Sequence, residues 1–198
     1  MTALEAPSEI LLMALFEDAA RAESAVESLW RRGFDSTRLS LLARERGRPL
    51  AEGGSRTPDW RRQRAVSPHL WFRFPQSALV RLPDLGFVVA LGPIAEELCE
   101  GPASGRGSAR LPTALRRLGL SAAEAPVFEQ ALLKRQVVLA AHVSRAEAHE
   151  WAALLRVAGA AFITAHLRLD AWPNDNRRRR GHRASSPGRS SRRRHSVI

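Results

Sequence analysis

The chain has 198 residues, 44% of them hydrophobic, which suits one domain of ordinary size with a buried core. Its formal net charge of +11 is unevenly placed: residues 171–198 hold nine Arg against one Asp, or +8, and leave the first 170 residues at +3. A single cysteine, Cys99, excludes an intrachain disulfide and zinc sites built on paired cysteines.

The longest apolar run, Gly86–Ala95, is about half of what a membrane span needs. The opening MTALEAPSEI carries two acidic residues and no basic stretch, so no secretory signal is expected and a cytoplasmic location is the default. Arg outnumbers Lys 30 to 1, a skew that GC-rich codon usage produces by itself.

After an extension over residues 1–8, residues 9–43 read as a strand–helix–strand unit. The apolar run Ile10–Phe16 leads to Asp18, whose carboxylate suits a helix N-cap, and the helix stops at Gly33. Its apolar stripe is Ala22, Ala25, Val26 and Leu29, the i, i+3, i+4, i+7 spacing of one helix face. Arg38–Ala43 closes the unit as a strand.

Residues 44–134 form an insertion. Residues 44–69, rich in Gly, Pro, Ser and Arg, read as a linker, and 70–108 as a mixed stretch. Within the latter, Leu70–Val89 is broken by Pro75, Pro83 and Gly86 and takes no assignment, while Ile94–Glu100 reads as a short helix. Residues 109–134 read as two helices, the first over Ala109–Leu118 and the second opened by the capping box Ser121–Glu124.

Residues 135–170 repeat the first unit at an offset of 126 residues without a gap. Val137–Val143 matches Ile10–Phe16, Ser144 with Glu147 stands where Asp18 stood, and Gly159 matches Gly33. Ala148, Trp151, Ala152 and Leu155 repeat the stripe, and Ala161–Leu169 is the closing strand. Cap and glycine are 15 residues apart in both copies.

Two such units in tandem predict an α/β (α+β) fold, a ferredoxin-like sandwich with both helices on one face, the first strand of each unit central and the last on an edge. The central strands are apolar on both faces, so the second face needs a cover, either the insertion or a second copy of the chain. Residues 171–198 read as a disordered Arg-rich tail.

The segments ALFEDAARAESAVESLWRRGFDSTRLSLLA (Ala14–Ala43), LGPIAEEL (Leu91–Leu98) and LRRLGLSAAEAPVFEQALLKRQVVLAAHV (Leu115–Val143), in that order, resemble the bacterial general stress protein family. The resemblance implies a stress-associated, non-enzymatic role and supplies no catalytic residues. The Gly/Ala-rich stretch usual in that family is reduced here to GPASGRGSAR, residues 101–110. The glycines usual before the third strand are replaced by Leu133-Lys134-Arg135-Gln136.

Six histidines, His69, His142, His149, His166, His182 and His195, lack the i, i+4 spacing of a helical metal pair. His142 and His166 are expected at opposite poles of the sheet, so no metal and no cofactor is expected. Cys99 lies among Glu96, Glu97 and Glu100, which disfavour a thiolate nucleophile.

One pole is expected to hold both helix starts and to gather Glu17, Asp18, His142, Ser144 and Arg145. Helix N-termini favour anions there, and capping alone also accounts for Asp18 and Ser144. In the tail, Arg177, Arg178, Arg179, Arg180, Arg183, Arg189, Arg192, Arg193 and Arg194 suit non-specific polyanion binding, and equally a solubilising tail set by codon usage. The expected function is a non-catalytic, stress-associated interaction or regulatory module. A small-ligand sensor or small enzyme using the pole, and a nucleic-acid-associated accessory protein, are the alternatives. Expected partners are a second copy through the open sheet face and nucleic acid or another polyanion through the tail, with no membrane span.

Overall fold

The computed structural model describes residues 9–45, 65–100 and 111–167. The tail lies outside them, and so does most of the linker. The described chain is an α+β fold around one open, antiparallel, six-stranded sheet.

The first unit is β1 (Glu9–Phe16), α1 (Ala19–Arg31) and β2 (Leu39–Arg44), with a 3-10 turn over Ser36–Arg38. The insertion supplies α2 (Pro68–Arg73), the hairpin β3 (Ser77–Leu82) and β4 (Gly86–Leu91), then α3 (Pro93–Glu100), α4 (Leu111–Leu118) and α5 (Ala125–Leu133). The second unit is β5 (Val137–Ser144), α6 (Ala148–Val157) and β6 (Phe162–Leu167). Strands run in the order β3-β4-β2-β5-β1-β6. Neither unit pairs its own two strands: β5 lies between β1 and β2, and β1 lies between β5 and β6.

The repeat has its physical basis in matching helix ends. Asp18 Oδ1 accepts the Arg21 N–H at 2.9 Å and satisfies a donor the first turn of α1 cannot bond itself. At the other end Phe34 N–H reaches Leu29 O at 3.0 Å around Gly33 at φ +82°, and Ala160 N–H reaches Leu155 O at 3.0 Å around Gly159 at φ +90°. These are Schellman closures, in which a left-handed residue turns the chain back onto the last carbonyls. The copies differ at the start. Ser144 and Glu147 form their capping box, but Arg145–Glu147 is a turn, so α6 has 10 residues against 13 in α1.

Alternation along the strands sorts the core into two layers. One face carries Leu12, Ala14, Phe16, Leu39, Leu41, Leu139, Ala141 and Val143. It packs on the α1 stripe Ala22, Ala25, Val26 and Leu29 and on Trp151, Ala152 and Leu155 of α6. Leu70 and Phe74, within and just after α2, extend this layer, and the Phe74 ring meets Trp30 at 5.5 Å between centroids. Each fully buried Leu or Phe here contributes about 1.5–3 kcal/mol relative to exposure.

The opposite face carries Leu11, Met13, Leu15, Ser40, Leu42, Val88, Ala90, Val138, Ala140 and His142. The insertion covers it. Ile94 N–H at the start of α3 bonds Ser40 Oγ at 3.2 Å. At one end of α5, Glu124 Oε2 lies 3.3 Å from His166 Nδ1 on β6. At its other end, Arg44 of β2 bonds Leu133 O at 3.3 Å and Leu85 O at 2.7 Å. Nine helical residues span about 13 Å, close to the width of the four strands from β6 to β2. α4 bridges α3 and α5 with Leu111, Ala114, Leu115 and Leu118 buried.

Two expectations are corrected here. The second face is not open, because helices of the insertion occupy it, and the argument for a second copy on that face falls. β2 is not an edge strand, because β4 pairs with it over Leu41–Arg44; of the closing strands only β6 lies on an edge. Among the described residues no helix is long and apolar enough to cross a membrane.

Candidate functional site

The pole expected to gather Glu17, Asp18, His142, Ser144 and Arg145 does not form. β1 and β5 are antiparallel, with Phe16 opposite Val137 and Glu9 opposite Ser144. The end of β1 therefore lies beside the start of β5, and the two helix starts stand at opposite ends of the sheet. Seven residue steps along the strand separate them, about 24 Å. Because β1 and β5 are direct neighbours running in opposite directions, the loops that follow them leave opposite ends of the sheet, and equivalent loops of the two copies cannot meet.

Glu17, Asp18 and Ser144 have local partners instead. Glu17 pairs with Arg21, and Asp18 caps α1. Ser144 donates its hydroxyl to Glu147 Oε2 at 2.6 Å and accepts the Glu147 N–H at 3.3 Å. The Ser144 hydroxyl is the main reason the Glu147 carboxyl is held below the ordinary carboxylate range, and Arg38 adds a smaller effect in the same direction. Arg145 is exposed on the turn. His142 is 1% exposed and points into the layer beneath the insertion, away from the strand end. The nine tail arginines, Arg177 to Arg194, lie outside the described residues.

The structure brings together a different set. Leu11 of β1 is opposite His142 of β5 on one side and opposite His166 of β6 on the other. The two histidines share one face and one row, two strand spacings or roughly 10 Å apart. This corrects the expectation of opposite poles: β5 and β6 run the same way because both are antiparallel to β1.

The His166 side chain is 10% exposed and its Nε2 is buried without a hydrogen-bond partner, while Nδ1 faces Glu124. Glu124 also accepts from the Ser121 hydroxyl at 2.6 Å and the Ser121 N–H at 3.2 Å. Ser121 holds the Glu124 carboxyl below its ordinary range, with His166 contributing in the same direction. The Ser121–Glu124 pair in the turn before α5 thus anchors the start of α5 on β6, although α5 itself begins at Ala125 without a side-chain cap. Sequence spacing carries the Ser121–Glu124 pair but not the histidine, because that contact depends on cross-strand register.

Among the described residues no group of three or more His, Cys, Asp or Glu side chains is placed to hold a metal ion. Cys99 is exposed on α3. Comparison with protein-family models, with curated proteins and with solved structures finds no match.

Proposed function

We propose that the chain is a non-catalytic interaction module with a ferredoxin-like core, extended by a hairpin and a helical cover, and with a C-terminal arm that holds polyanions. The order β2-β5-β1-β6, with α1 and α6 on one face, supports the ferredoxin-like reading of the two units. The stress-associated role implied by the resemblance belongs to the same proposal.

The observation that carries the functional reading is the segregation of charge: +8 of the net +11 lies in residues 171–198. Arginine forks pair well with phosphate oxygens, and each neutralised phosphate releases counterions. No aromatic residue follows Trp172, so the arm offers charge without base stacking, and contact without sequence preference.

The test is binding of duplex DNA to the full chain and to a variant ending at Asp170. The full chain is expected to bind at low salt, with log affinity falling linearly against log salt, and the shortened chain to lose that binding. Equal binding by both chains overturns the assignment to the arm.

A further inference from the structure

The outer side of α4 presents Thr113, Arg116 and Arg117, spaced i, i+3 and i+4 and so neighbours on one face. With Leu120, Ser121 and Ala122 of the following turn they line a broad, open cleft of about 560 Å³. Its polar groups are unequal. Arg117 Nη1 is 3.2 Å from Glu97 Oε2, which answers one positive charge. The Ser121 hydroxyl is committed to Glu124, whose carboxylate is in turn engaged by His166. The Arg116 guanidinium has no hydrogen bond or ion pair among the described residues. Arg116, the remaining N–H groups of Arg117 and the Thr113 hydroxyl are the donors left to a ligand, beside the exposed Ala122, while the Leu120 side chain is buried beneath them.

We propose that this cleft binds the phosphate group of a small soluble molecule. A guanidinium offers paired N–H groups that match two phosphate oxygens, a second guanidinium and a hydroxyl can serve the third, and the exposed Ala122 offers a small apolar contact to whatever the phosphate is attached to. Two cations at the end of α4 suit the negative end of the helix dipole, which by itself disfavours an anion there, so the guanidinium charges supply all of the attraction. That accounts for charge in the last turn but not for a guanidinium left unpaired beside a cleft. The proposal stands apart from the polyanion arm, which is a different part of the sequence, residues 171–198.

The test is a titration of the ¹⁵N-labelled full chain with inorganic phosphate and, separately, phenyl phosphate, followed at the amides of Thr113, Arg116, Leu120, Ser121 and Ala122. Saturable shifts at these amides are expected, weakened about tenfold in Arg116→Gln and partly restored in Arg116→Lys. The shifts at the tail arginines should be the same in all three proteins, which separates this site from the arm. Tighter binding of phenyl phosphate assigns the cleft to a phosphate ester, and equal binding to the free ion. Because Arg116 is exposed and unpaired, Arg116→Gln should leave the melting temperature unchanged. Absence of saturable shifts in the cleft, or equal shifts in the parent and Arg116→Gln, overturns the proposal.

Discussion

The two strand–helix–strand units share a pattern and have different surroundings. β2 is buried along nearly its whole length because the β3–β4 hairpin extends the sheet beyond it, whereas β6 closes the sheet and stays half-exposed. The helices follow: the four stripe residues of α1 are fully buried, while in the α6 stripe Trp151 and Ala152 are each 9% exposed and Ala148 is only partly buried. Like sequences therefore give like local structure, but what is added next to each copy decides how much each residue is worth.

The largest expected effect lies at the junction between the sheet and the insertion. Gly92 has φ +76°, and a Cβ there would stand 1.9 Å from Leu39 O, a backbone atom that cannot step aside. Gly92→Ala should cost at least about 3 kcal/mol in denaturant unfolding, whereas Gly159→Ala, whose Cβ would meet only the flexible Arg21 Cδ at 3.6 Å, should cost about 1–2 kcal/mol. Similar losses at both sites would mean that steric closure of the junction does not govern its stability.

Next comes the contrast between the closing strands. Leu41→Ala in β2 should cost about 2–5 kcal/mol, and Ile163→Ala in β6 less than half as much, since Ile163 is only partly buried. Equal costs would show that the hairpin does not shelter β2.

A smaller effect separates the helix starts. Ser144→Ala should cost about 1 kcal/mol and raise the Glu147 pKa towards its ordinary value, read by carboxyl NMR titration. The sign follows from the depressed folded value. The Glu147 contribution is present above the unfolded pKa and lost as pH falls through the folded one, so the parent should lose stability on that acid limb and Ser144→Ala should show a flatter one.

The smallest effect is a gain. Arg135 closes α5 at φ +64° in the same Schellman geometry that Gly33, Gly119 and Gly159 provide elsewhere, with Gln136 N–H on Ala131 O at 2.9 Å. Arg135→Gly should raise stability by about 0.5–1 kcal/mol, and a loss instead would show that the Arg135 side chain makes a stabilising contact.

The units were legible because their determinants are local: a capping side chain, an apolar stripe at helical spacing and a glycine at a fixed distance. The short helices were legible from what precedes them, Gly92-Pro93 before the helix read as Ile94–Glu100 and Ser121–Glu124 before the second of the two helices read in 109–134; they run Pro93–Glu100 and Ala125–Leu133. The hairpin was present in the letters as two six-residue strands around Pro83-Asp84-Leu85, with Gly86 following, a turn signal hidden by the prolines that looked like breaks. The direction of the central pair was not legible. Which end of β5 lies beside Phe16 is fixed by hydrogen bonds between residues more than 120 positions apart, and no periodicity records them. The expected ligand pole failed on that point alone, and the row joining His142, Leu11 and His166 was missed for the same reason.

The interleaving of the strands has a consequence for synthesis. Both neighbours of β1 belong to the last third of the described chain, while β2 can already pair with the hairpin that follows it. As the chain leaves the ribosome, one of its most apolar strands must wait without a partner until residues 137–167 arrive. Fragments ending before Val137 should therefore aggregate, and binding by a chaperone during translation should centre on residues 10–16.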